Sequence, residues 1–147
     1  MHSAQNAQAH ERRRFRRFPA AELSVQVKTR RGLFGKWETV NPEDFTRTGL
    51  AFESTGMELE KGDVVEVRAT LLLDMGDLKV DRLVAVVRNL HRHGIARRYG
   101  LEFDYSASRH MKALTTQAQL GRIEGILDRS EKLRRRLHVQ QDEQEAR

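Results

Sequence analysis

The segment Glu11-Arg12-Arg13-Arg14-Phe15-Arg16-Arg17-Phe18 places five guanidinium groups within six positions. Cations packed this closely repel one another, and the cluster could meet phosphate. Guanidinium groups bind phosphate oxygens in two-pronged fashion, reach the O6 and N7 edge of guanine, and stack on flat rings. A guanine nucleotide engages all three modes. The same residues also fit a basic arm that solubilises the chain or touches nucleic acid without sequence preference.

A second group follows at Asp44-Phe45-Thr46-Arg47-Thr48-Gly49. The Asp44 carboxylate can accept hydrogen bonds from the N1–H and N2–H2 donors of guanine, and the Thr46 hydroxyl can donate or accept. Gly49 has no side chain, so its backbone can turn or lie close to a ligand. A purely structural role for Thr46, bonding the local backbone in a turn, is the other reading of that residue.

Other candidates carry less. His91 and His93 share one face of a strand, but no third ligand stands nearby, and an exposed turn is the simpler account. Asp74, Asp77 and Asp81 do not follow the calcium-loop spacing. No metal is assigned. Neither a nucleophile elbow, a phosphate-cradling glycine loop with its lysine, nor a metalloprotease helix occurs, so no catalytic apparatus is visible. Trp37 and Phe52 sit at strand positions and are expected in the core.

The elements that must position these groups are mostly strands. Leu23, Val25 and Val27 alternate with polar residues, the period-two pattern of a strand with one buried face. Gly32 and Gly35 mark a turn. Trp37 to Val40 reads as a second strand that the turn formers Asn41-Pro42-Glu43-Asp44 interrupt, and Leu50 and Phe52 resume the alternation. Lys61-Gly62-Asp63 turns into the longest alternation, Val65, Val67, Ala69, Leu71 and Leu73. After the turn at Asp74-Met75-Gly76-Asp77, strands are expected over Val80 to Leu90 and Tyr99 to Asp104, separated by a basic loop around His91, His93 and Gly94. Short strands joined by turns predict a mainly β fold, an antiparallel barrel.

Beyond Asp104 the period changes to about 3.6. Ser106 is a candidate N-cap, and Met111, Leu114 and Ala118 recur at helical spacing. A helix from Ala107 to Leu137 spans roughly 46 Å at 1.5 Å per residue, longer than a small barrel covers. Ile123, Leu127, Leu133 and Leu137 continue a thin apolar stripe that Gly121, Gly125 and Ser130 interrupt. The far half either self-associates or remains a solvated helix supported by i,i+4 charge pairs.

The two chemical segments, in this order, resemble the signatures of the PilZ family: R-x-x-x-R in an N-terminal loop and [D/N]-x-S-x-x-G on the barrel. Arg13 and Arg17 fill the first. Asp44, Thr46 and Gly49 fill the second, with Thr for the usual Ser. Gly100-Leu101-Glu102-Phe103 is similar to the G-x-x-F of the family's closing strand, and the resemblance covers residues 11 to about 115. It implies a six-stranded PilZ-type barrel followed by a long C-terminal helix, and cyclic di-GMP as ligand. Arg13 and Arg17 would hold guanine and phosphate groups, and Asp44 and Thr46 a guanine. An arginine just before the first motif, here Arg12, goes with an intercalated dimer of the ligand. With Arg14 supplying further charge, two ligands per barrel are expected. The methyl group of Thr46 is expected to weaken binding without abolishing it.

Composition sets the remaining bounds. The 147 residues suffice for one domain, and 38% hydrophobic with 33% charged residues excludes a wholly disordered chain. The expected organisation is a tail over 1–10, the barrel with its arginine loop over 11–105, the helix over 106–140, and a tail over 141–147. Lysine and arginine number 27 against 21 acidic residues, and part of the excess clusters at Lys132 to Arg136. Cysteine is absent, which excludes disulfides and a cysteine nucleophile. No apolar run reaches membrane-spanning length and the first residues form no signal peptide, so a cytoplasmic protein without membrane insertion is expected. The combined expectation is a receptor or adaptor, not an enzyme, that needs no cofactor, orders its arginine loop on ligand and signals to a protein partner. A nucleic-acid-binding barrel and a ligand-blind scaffold are the rival classes.

Overall fold

The computed structural model describes residues 22–29 and 35–145, with side chains described through His138. Six strands form a closed antiparallel barrel: β1 (Glu22–Thr29), β2 (Trp37–Thr46), β3 (Gly49–Ser54), β4 (Val64–Leu73), β5 (Gly76–His93) and β6 (Ala96–Phe103). Their order around the barrel is β1-β2-β3-β6-β5-β4. A short helix α1 (Arg109–Lys112) and a long helix α2 (Leu114–Glu145) follow. No helix among the described residues is long and apolar enough to cross a membrane.

Alternation builds the core as the sequence predicts. Val25 and Val27 of β1 and Val65, Val67, Ala69 and Leu71 of β4 all face inward and are buried. Phe52 and Tyr99 meet inside the barrel with ring centroids 5.4 Å apart. The Tyr99 hydroxyl donates to the Met57 carbonyl at 2.7 Å and accepts from the Leu59 amide at 3.1 Å, so a buried polar tip is satisfied while it ties the β3–β4 connection to the core.

The structure differs from the sequence reading at five places. Asn41 to Asp44 do not end β2; the strand runs through Pro42, and the irregularity shrinks to a bulge between Pro42 and Asp44. Pro42 lies beyond the last β1 pair, Val25 with Val40, where a missing N–H is tolerated. The expected basic loop is a tight hairpin, because β5 continues to His93 and only Gly94 and Ile95 turn, Gly94 at φ 61°. Trp37 is half-buried on the outer face: with Val40 facing in, the phase turns Trp37 outward, and the Arg68 guanidinium stacks 4.1 Å from its ring centroid. The N-cap is Ser108, whose hydroxyl accepts from the Met111 amide at 3.1 Å, not Ser106. The helix breaks at Ala113, which is extended, and α2 then runs past Gly121 and Gly125 to Glu145.

That break resets the helical phase. Leu114, expected on the apolar stripe, is 81% exposed, while Met111, Thr116, Leu120 and Ile123 are buried against the barrel. Val84, beside a bulge where the β4–β5 ladder is interrupted, directs its amide to the Met111 sulfur at 3.4 Å. On the exposed part of α2, the pairs Asp128–Lys132 and Glu131–Arg135 at i,i+4 support the helix.

Candidate functional site

Two bulges decide what the outer face presents. In β2, Val40 and Pro42 point inward, and simple alternation would send Asp44 the same way. The extra residue at Glu43 makes Glu43 and Asp44 successive outward positions, so Phe45 enters the core and Asp44 pairs with Ala51 on the outside. Glu43 pairs with Arg98 of β6 at 2.5 Å. A second bulge lies between Val87 and Asn89 of β5.

The result is a groove of about 450 Å³ on the outer face, within the range of small-ligand sites. Asp44, Thr46 and Thr48 line one side and Arg88 and Asn89 the other; Gly49, Ala51 and Gly100 are the small residues between. Asp44, Thr46 and Gly49 of the sequence reading are thus brought together. Arg12, Arg13, Arg14 and Arg17 lie outside the described residues, as does the turn expected at Gly32.

Gly49 is required by space. A Cβ there would lie 2.0 Å from the Leu101 carbonyl oxygen and 3.2 Å from the Glu102 Cα. The short hairpin turn Arg47-Thr48 brings β3 in against β6, and Phe103 donates its amide to the Thr48 carbonyl at 2.9 Å. Thr46 takes the turn role open to it: its hydroxyl accepts from the Thr48 amide at 3.2 Å and meets the Thr48 hydroxyl at 2.8 Å. Two linked hydroxyls therefore stand at the groove, with acceptor capacity left for a ligand.

The hairpin tip is clamped from the C-terminal side. Glu124 of α2 accepts from the Arg47 amide at 3.1 Å and from Arg47 Nε at 3.2 Å. The Tyr105 hydroxyl donates to the Arg47 carbonyl. Burial raises the Tyr105 pKa above the ordinary value, Arg47 opposes the rise and Glu124 adds to it, so the phenol stays a donor at neutral pH. Asp104, which accepts from the Ser106 hydroxyl at 2.6 Å and from its amide at 3.0 Å, is held below the usual carboxylate range by those two bonds. Replacing Glu124 by Gln is expected to speed amide exchange at Arg47 and Thr48 several-fold while leaving exchange in β1 and β4 unchanged, because one charge-assisted clamp is weakened and the core is untouched. Equal exchange in both proteins would show that the clamp does not hold the turn.

Sequence reasoning missed Arg88, Asn89, Gly100 as a groove residue, Tyr105 and Glu124. Only Gly100 had a signal, as part of the G-x-x-F segment. The others are recruited by pairing and docking over long sequence separations. His91 and His93 are exposed, and no group of three or more His, Asp or Glu among the described residues is placed to hold a metal.

Comparisons with known proteins agree with this architecture. The chain is similar to the PilZ domain of CeSA from a cellulose-synthesizing bacterium, at 21% identity and TM-score 0.48 over 76% of this chain and 96% of that one. It is also similar to the K. pneumonia MrkH–c-di-GMP complex, at 18% identity and TM-score 0.52, covering 79% of this chain and 51% of that one. No curated protein sequence matches. The family model described as PilZ domain matches residues 11–118, a span that takes in the arginine segment, every strand of the barrel and the start of α2. The chain therefore belongs to the PilZ domain family.

Proposed function

We propose that this protein is a receptor for cyclic di-GMP, held between the arginine segment and the groove beside the β2–β3 hairpin. The observation that carries the reading is the joint placement of the Asp44 carboxylate, turned outward by its bulge, and the Thr46 and Thr48 hydroxyls along a floor of small residues, in a chain of the PilZ family. Asp44 accepts from the N1–H and N2–H2 edge of guanine, a pattern that adenine does not offer. Arg13 and Arg17 supply guanidinium groups to phosphate and base, and Arg12 and Arg14 add the charge that a second ligand needs. The chain thereby takes two molecules as an intercalated dimer. The structural likeness to MrkH, solved with c-di-GMP, supports the choice of ligand.

In this reading the protein is a cytoplasmic adaptor and not an enzyme. Residues 11–105 form the sensing unit, and the segment from Glu11 to Phe18 becomes ordered on the barrel when ligand bridges it to Asp44 and Thr46. The changed surface is read by a protein partner, with α2 as the element for docking or for association with a second copy.

Isothermal titration of cyclic di-GMP tests the reading. Wild-type protein is expected to bind near two ligands per chain, and Arg13→Ala to bind at least about tenfold more weakly, the loss of one charge-assisted contact. A stoichiometry of one rejects the intercalated dimer. No heat from either protein rejects the receptor and leaves the ligand-blind scaffold or the nucleic-acid-binding barrel.

A further inference from the structure

Only one side of the groove carries motif residues. Across from them stands Asn89. In an unbulged β5, Val87 facing in would be followed by Arg88 out and Asn89 in. The extra residue Arg88 resets the alternation, so Asn89 faces outward and pairs with Gly100. The bulge at Glu43 does the same for Asp44 opposite Ala51. One row therefore crosses four strands on the outer face, Asp44, Ala51, Gly100 and Asn89: two polar ends with two small residues between them.

The Asn89 side chain lies over its neighbour in that row. A Cβ at Gly100 would come 3.1 Å from Asn89 Nδ2 and 3.2 Å from Asn89 Cβ, so the space left by the missing side chain is where the carboxamide sits. The adjacent Arg88 is drawn aside to Glu102 at 3.3 Å. Among the described residues, nothing hydrogen-bonds the Asn89 carboxamide, so its two N–H donors and its carbonyl are open to the groove. Asparagine is poorly suited to a strand, and a bulge interrupts the ladder. Neither cost is offset by an intramolecular bond of this side chain among the described residues.

We propose that Asn89 is a ligand-binding residue of the groove, donating from its carboxamide, seated over Gly100, to N7 of a guanine that lies over Ala51 between it and Asp44. The backbones of β2 and β5 are separated by about 14 Å, three strand spacings, a span that one purine and the side chains at the two ends can bridge. Asparagine also pairs with the N6 and N7 edge of adenine, so Asn89 contributes affinity while Asp44 carries the preference for guanine. The inference rests on the cyclic di-GMP reading and names a contact within it that lies outside both signatures.

The test is a titration of full-length wild type, Asn89→Leu and Asn89→Gln with cyclic di-GMP and with its 7-deaza-guanine analogue, in which C–H replaces N7. Asn89→Leu keeps the side-chain volume and removes the donors. It is expected to bind cyclic di-GMP about tenfold more weakly at an unchanged melting temperature, with Asn89→Gln in between. Wild type is expected to bind the 7-deaza ligand at least about tenfold more weakly, and Asn89→Leu to show a 7-deaza penalty smaller by about that factor, because arginine contacts to N7 are lost in both proteins. Wild-type affinity in Asn89→Leu overturns the proposal and leaves the receptor reading standing. A 7-deaza penalty that persists undiminished in Asn89→Leu overturns the N7 contact. A wild type that binds no cyclic di-GMP overturns the receptor reading itself, and this assignment with it.

Discussion

Gly49→Ala is expected to lower the melting temperature by about 10 °C or more and to weaken the groove with it. The added Cβ would stand 2.0 Å from the Leu101 carbonyl oxygen and 3.0 Å from its carbon. Both are backbone atoms of β6, so no side chain can swing away. Relief requires β3 to move off β6, which strains the pairs Gly49–Glu102 and Leu50–Leu101. Overpacking of this kind costs about 3 kcal/mol, and each kcal/mol is worth roughly 4 °C in a chain of this size. Thr46 pairs directly with Gly49, so the same movement displaces the hydroxyl pair from Asp44, and ligand affinity should fall in parallel. Gly56→Ala is the control: a Cβ there meets nothing within 4 Å, and its melting curve should overlay the wild type. A Gly49→Ala protein that melts with the wild type would remove the close approach of β3 and β6 as the reason for this glycine.

Ile123→Ala is expected to destabilise the protein by about 3 kcal/mol and to release the start of α2 from the barrel. Ile123 is fully buried beside Leu120 and Met111, and truncation of a buried aliphatic side chain costs both its transfer free energy and a cavity. Glu124 is the next residue, so the clamp on Arg47 should loosen as well. The measurement is thermal melting together with amide exchange at Arg47 and across residues 116–127. Leu133→Ala provides the contrast. Leu133 is 42% exposed on the distal part of the helix, and its loss should change stability by no more than about 0.5 kcal/mol. If both variants behave alike, the docking of α2 does not depend on its buried residues.

The two results would separate what local pattern encodes from what assembly adds. Alternation at Val65, Val67, Ala69 and Leu71 was legible because a strand with one buried face must repeat every two residues. The helix after Asp104 was legible for the corresponding reason at period 3.6. Its origin and phase were not: the cap expected at Ser106 is made by Ser108, and the single extended residue Ala113, which moves Leu114 into solvent, leaves no mark in hydropathy.

The chemistry divides in the same way. Residue types and order alone placed Asp44, Thr46 and Gly49 in one short segment, grouped the arginines before the first strand, and carried the family resemblance. Those are local properties, since a motif needs only neighbouring residues. The tertiary structure decided which way Asp44 points, why Gly49 can bear no side chain, that Asn89 and Arg88 line the far side of the same groove, and that Glu124 clamps its hairpin. Bulges at Glu43 and Arg88 appear only when a strand is laid against its partner in register. Glu124 reaches Arg47 across 77 residues of chain, through a helix whose phase is set by burial against the barrel and not by any pattern near the turn it holds.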